Sequence, residues 1–270
     1  MGGNGPGRST DGRRRKIHLG IWGMRVWVLA ALLGGLAVPM RFQSGVAEAG
    51  PPSYLLQYDI KKGETLWYQV LISETIYSGT RRMTNLYRED VKVESAATAD
   101  GKIHQTVTCA GTVTPEGGEA RNLEPFRYYL TLERTGRILE AEGLKPWDGR
   151  QVETLWLAQV ILPARPVTVG EKWTVNDELY STANGGLAME RRTYEFDGIE
   201  RVGSQDAFKV KYEASRKGRA NSRDYTYTGT GTFYLSSGRL AKLEASEMVT
   251  YAGNGQDTKV ITMIQVNLVK

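Results

Sequence analysis

The chain has 270 residues, with 35 Lys+Arg against 30 Asp+Glu. Residues 1–49 hold seven of those basic side chains and two of the acidic ones, so residues 50–270 carry 28 of each. That balance excludes a global electrostatic pull towards nucleic acid. A single cysteine, Cys109, excludes an internal disulfide.

The first segment reads as an export leader. Arg13, Arg14, Arg15, Lys16 and Arg25 precede an uncharged apolar run from Val26 to Met40, and Ala47-Glu48-Ala49 comes after it. Basic, apolar, then small-x-small is the order of a cleavable signal peptide, with the cut between Ala49 and Gly50. The apolar run is about 15 residues, short of the ~20 that a membrane-crossing helix needs. A leader is therefore expected rather than an anchor, with no stable membrane insertion after cleavage. Removing 49 of the 270 residues leaves 221, enough for one sizeable core. No Asn-x-Ser/Thr site occurs in that part, which favours a periplasmic or extracellular bacterial setting over a eukaryotic secretory route.

From Gly50 onward, alternation of period two dominates. Leu66, Tyr68, Val70 and Ile72 share one strand face, as do Phe126, Tyr128, Leu130 and Leu132. Phe208, Val210, Tyr212 and Ala214 form another such face, and Val260, Thr262, Ile264, Val266 and Leu268 a fourth. Turn signals separate the runs at Lys62-Gly63, Ser78-Gly79, Asp100-Gly101, Gly117-Gly118, Thr135-Gly136, Ser237-Gly238 and Gly253-Asn254-Gly255. The pattern predicts a mainly β domain of roughly eleven or twelve antiparallel strands, folded as tandem meanders into a curved sheet or incomplete barrel.

One helix is predicted as a connector over 147–162. Val152, Leu155, Trp156 and Val160 recur at helical spacing, Asp148 caps the start and Pro163 ends it. The connector divides two related halves, 54–142 and 170–270. Gly63-Glu64-Thr65-Leu66-Trp67 opens the first, and Gly170-Glu171-Lys172-Trp173 opens the second. The helix is expected to plug the end of the curved sheet, with Trp156 buried against it.

Candidates for chemistry are few, and no catalytic residue, metal site or cofactor is expected. Cys109 shares a face with Ile103, Val107 and Val113, whereas His104 lies on the opposite one, so they make no nucleophile–base pair. No metal, phosphate or dinucleotide motif is present. Glu133, Glu140, Glu142, Asp148, Glu195 and Asp197 could supply paired carboxylates, but outward solubilising charge is their expected role. A basic cluster of Arg216, Lys217, Arg219 and Arg223 reads as a solvated hairpin tip.

Ligand binding is signalled most by Tyr225, Tyr227, Gly229, Gly231 and Phe233, which share one strand face. Two glycines within an aromatic face either let the strand bend or leave room for something to approach. With Trp156, these residues are the candidate binding set.

The segment Leu162-Pro163-x-x-Pro166-Val167-x-x-Gly170-x-x-Trp173, with the hairpin from Phe233-Tyr234-Leu235 to Gly238-Arg239-Leu240, resembles exported bacterial β-rich proteins of unknown function. More distantly, the pattern resembles the incomplete barrels of periplasmic lipoprotein and lipid carriers. That resemblance implies an apolar cavity closed by helices. The resulting expectation is a non-enzymatic envelope protein that binds a lipid-like or other apolar small molecule. The alternatives are an envelope scaffold that binds a protein partner without a cavity, and a carbohydrate-active enzyme.

Overall fold

The computed structural model describes residues 51–97, 101–143, 160–181, 186–220, 223–252 and 257–269. All of them belong to one unit, Ala49–Lys270. Ala49, Gly50 and the leader lie outside the described residues, as do Trp156 and most of the predicted helix.

Among the described residues the chain forms fourteen strands. The first half holds β1 (Ser53–Tyr54), β2 (Thr65–Ser78), β3 (Arg81–Ala97), β4 (Ile103–Pro115), β5 (Arg121–Asn122), β6 (Phe126–Leu132) and β7 (Ile138–Glu142). The second holds β8 (Val167–Thr168), β9 (Lys172–Ser181), β10 (Gly186–Val202), β11 (Gln205–Ala220), β12 (Arg223–Ser236), β13 (Arg239–Tyr251) and β14 (Thr258–Leu268). Twelve of them form one antiparallel sheet, in the order β7-β6-β4-β3-β2-β14-β13-β12-β11-β10-β9, with β5 added on β4. Each half is a meander, and the two join where the last strand, β14, pairs with β2. The sheet curves but does not close, because β7 and β9 remain its edges.

The core lies on the concave side. Tyr68, Val70 and Ile72 of β2, Val91 and Val93 of β3, and Val107 and Cys109 of β4 are buried there. Tyr194 and Phe196, Val210 and Tyr212, Phe233 and Leu235, Leu240 and Leu243, and Ile264 and Val266 continue it through β10 to β14. Each such side chain contributes roughly 1.5–3 kcal/mol on burial. Cys109 faces inward as expected, between Val91 and Phe126 in the register. His104 faces outward, and its Nδ1 lies 3.0 Å from Thr131 Oγ1.

No residue among those described is helical, and that includes 160–162, the end of the predicted helix. Two extended segments, 54–60 and 160–168, stopper one end of the sheet. Pro163 and Pro166 enforce extension in the second. The segments pair with each other through β1 and β8. Tyr58 N–H donates to Arg134 O, Asp59 N–H to Gly238 O and Leu162 N–H to Thr135 O, so both are tied to the turns at one end of the sheet. Leu56, Tyr58, Val160, Leu162 and Val167 are buried there. Trp173 Nε1–H donates to Ile161 O at 2.8 Å, and the Tyr54 ring meets Phe196 and Phe208 edge-on.

Candidate functional site

Towards the other end of the concave face, the inward positions stop being apolar. On β10 the series Phe196, Tyr194 continues to Arg192 and Glu190, both buried. On β11 the series Phe208, Val210, Tyr212, Ala214 continues to Arg216. On β13, Leu243 and Ala245 continue to the buried Glu247. The register sets these groups side by side. Glu190 pairs with Arg216 and Arg216 with Tyr227, while Arg192 pairs with Ala214, Ala214 with Gly229 and Gly229 with Glu247.

The groups form two hydrogen-bonded sets joined by a cation–ring contact. Arg192 Nε–H donates to Glu190 Oε1 at 2.6 Å, and Arg216 Nη1–H donates to Glu190 Oε2 at 3.3 Å. Tyr227 O–H donates to Glu247 Oε1 at 3.1 Å. The Arg216 guanidinium lies 4.9 Å from the Tyr227 ring centroid and 5.5 Å from that of Tyr225. Pairing is what makes these charges tolerable in a low-dielectric interior. Burial pushes the Glu247 carboxyl up to about 7; the Tyr227 hydrogen bond opposes the rise and the Glu190 charge adds to it. Burial also raises the Tyr212 and Tyr227 hydroxyls, which stay neutral.

The candidate binding set lies beside this cluster. Tyr225, Tyr227 and Phe233 are buried on the concave face. The room beside the glycines is occupied by tyrosine. A Cβ on Gly229 would come 2.7 Å from Tyr227 Oη, and one on Gly231 would strike the Tyr212 ring. The glycines therefore accommodate rings. Thr226, Thr228, Thr230 and Thr232 line the convex face.

A cavity of about 30 Å³ near the plugged end, lined by Tyr58, Tyr68, Gln105 and Tyr128 among others, has space for a water or two. A larger cleft of about 260 Å³ lies near the opposite rim, lined by Asn176, Glu190, Arg191, Ser215, Arg216, Lys217, Thr226 and Tyr227.

One expectation from the sequence changes. Arg216 is not part of a solvated tip. Its side chain, 17% exposed, turns inward to Glu190, whereas Arg219 is 72% exposed and only 3.8 Å from Asp224. The inward cluster was not among the expected sites, although alternation extended by one or two steps from Ala214, Tyr194 and Ala245 points to it. The described candidate carboxylates serve the surface, the role expected of them. Glu195 pairs with Lys172, and Asp197 with Lys209 and Lys211. The lysine hydrogen bonds hold the Asp197 carboxyl below its usual range, led by that of Lys211. Glu133, Glu140 and Glu142 are exposed, and Asp148 lies outside the described residues.

Fold and cluster together define an open, antiparallel, curved β-sheet with a packed interior and a polar end. No family model matches the chain, and no curated protein matches it. Among solved structures, the chain is similar to one titled lipid–protein interactions in lipovitellin. The TM-score is 0.48 and the identity 10%, over 78% of this chain and 26% of that one. The chain thus spans about a quarter of that structure's length.

Proposed function

We propose that the protein is an exported, non-enzymatic binding protein of a bacterial cell envelope, and that it holds a lipid-like or otherwise apolar small molecule at the rim of its curved sheet. The observation that carries this reading is the asymmetry of the two ends. One is stoppered by 54–60 and 160–168, while the other has the cleft of about 260 Å³ beside Tyr227 and Arg216. Such a volume approaches the ~300 Å³ at which small-molecule sites begin. The ligand lies at the rim because the interior cavity of about 30 Å³ is too small for it. The leader pattern in residues 1–49 supports export.

Native mass spectrometry of protein purified from the exporting cell tests the reading. The expected result is a bound apolar species, released by organic solvent and competing with a hydrophobic dye. A clean apo mass with no dye uptake would overturn it.

A second reading, an envelope interaction module with a solid core, is favoured by the filled interior and by a convex apolar patch. Met248 and Ile261 are cross-strand partners, with Met263 and Leu71 nearby on β14 and β2. Retention of an envelope protein by the wild-type chain, but not by Met263→Lys, would favour this reading.

A further inference from the structure

The convex face of β13, β14, β2 and β3 mixes apolar and basic side chains in one patch, which the register sets out as four rows. Lys259, Tyr77 and Arg82 share the row nearest the unstoppered end. Met248 and Ile261 lie in the next, and Met263 and Leu86 in the third. Glu244, Leu71 and Arg88 lie in the fourth, and serine, threonine and glutamine fill the other positions. All of them point the same way, because paired residues share a face and successive rows are two residues apart. The residues between the rows, among them Ile72, Glu247, Thr262 and Ile264, are buried on the concave side.

Leu71, Tyr77, Met248 and Met263 are exposed, Met263 by 52%. Apolar side chains exposed together mark an interaction surface. The charges on the patch are unequal. Glu244 is its carboxylate, and Lys242 Nζ lies 2.8 Å away. Arg82 reaches Glu116 at the edge, at 3.3 Å. Lys259 and Arg88 add two positive charges that no residue of the patch balances. The excess is local, since residues 50–270 carry equal numbers of basic and acidic side chains.

Size and shape select the kind of partner. Four strands and four rows span about 14 Å by about 20 Å, or roughly 300 Å². A stable protein interface takes about 800 Å² from each partner. A bilayer surface needs no complementary shape, so it tolerates a convex patch of this size. It also rewards basic and apolar side chains separately, the first at anionic headgroups and the second at the acyl boundary. We propose that this patch docks the protein on a bilayer surface carrying anionic headgroups. Lys259, Arg82 and Arg88 meet the phosphates, while Met248, Met263, Leu71 and Tyr77 enter the headgroup boundary. The inference goes beyond both readings of function. It holds whether or not the rim binds an apolar molecule, and it gives the patch a lipid surface rather than an envelope protein as occupant.

Flotation with vesicles of phosphatidylcholine, alone or mixed with phosphatidylglycerol, tests this on protein purified from the exporting cell. Binding to the mixed vesicles alone is expected, and it should be lost near 1 M salt, where the Debye length is about 3 Å. Lys259→Gln and Arg88→Gln should each weaken it about fivefold. Met263→Ser should also weaken it, and all three variants should melt like wild type. Cys109 is buried, so a thiol introduced by Met263→Cys can be labelled alone. A polarity-sensitive dye there should shift its emission on the mixed vesicles. The same dye after Thr174→Cys, exposed on the convex side of β9, should not. Equal binding to both kinds of vesicle, binding to neither, or a shift at both labelled positions would overturn the proposal. So would a triple variant of Lys259, Arg88 and Met263 that binds as wild type does. If polyglutamate binds through these residues and vesicles do not, the occupant is an acidic protein and the membrane proposal fails. An apolar species held by protein that ignores vesicles would leave the rim reading standing without this one.

Discussion

Glu247 is the residue whose environment most changes its chemistry. Its carboxyl rises from an ordinary value of 4.5 to about 7, chiefly through burial. The native state therefore holds this proton more tightly than the unfolded chain does. The associated stability is full below about pH 4.5, is lost as pH rises towards 7 and levels off above that. The shift corresponds to about 3 kcal/mol. Glu247→Gln keeps an acceptor for Tyr227 without the titration. Urea unfolding is expected to show the variant about 1–3 kcal/mol more stable than wild type near pH 8, with little difference near pH 5. A variant with the same pH profile as wild type would show that Glu247 is not the titrating group. None of this was visible from composition. Glu247 reads as one polar residue in a strand until the register places Tyr227, Glu190 and two arginines around it.

At the scale of elements, hairpins and plug depend on each other. Ser237 and Gly238 have φ of 49° and 72°, the double positive φ of a tight hairpin whose twist suits its strands. Gly238 has a second role, because a Cβ there would strike the backbone of Asp59. Gly63, by contrast, has φ of 76° and nothing within 4 Å of such a Cβ. Gly63→Ala is expected to cost only the backbone term of about 1 kcal/mol. Gly238→Ala adds the displacement of the plug, for a total of about 2–4 kcal/mol. Chemical denaturation of the two variants side by side distinguishes them, and equal losses would mean that the plug yields freely. These turns were legible in the sequence, because glycine at a strand end is a local signal. The contact with Asp59 was not, since Asp59 and Gly238 are distant in the chain.

At the scale of the molecule, the open sheet is held in shape by what crosses its stoppered end. Leu56 and Tyr58 cover Val160, Leu132 and Leu240 within a single core. Arg239 and Glu64, 175 residues apart, form a salt bridge beside them. A chain beginning at Lys61 is expected to bind a hydrophobic dye and lose its cooperative melt. A chain beginning at Pro51 is expected to melt as the full-length protein does, with the two compared by near-ultraviolet circular dichroism and calorimetry. A sharp, unchanged transition in the shorter chain would mean that the plug is ornamental. The edges, β7 and β9, carry charge in the manner of strands that resist adventitious pairing, with Glu140, Glu142 and Lys172 exposed.

The sequence by itself determined which side of each strand faces inward and where the chain turns. Both follow from neighbours one or two residues apart: side chains alternate with a period of two, and glycine reaches backbone angles that other residues avoid. Only the tertiary structure decided that β14 closes on β2, that the extended segments 54–60 and 160–168 stopper one end of the sheet, and that Glu190, Arg192, Arg216 and Glu247 meet. Those outcomes depend on register between strands far apart in the chain. A shift of one residue would turn every one of these side chains to the opposite face, and no local pattern of residues states which pairing is made.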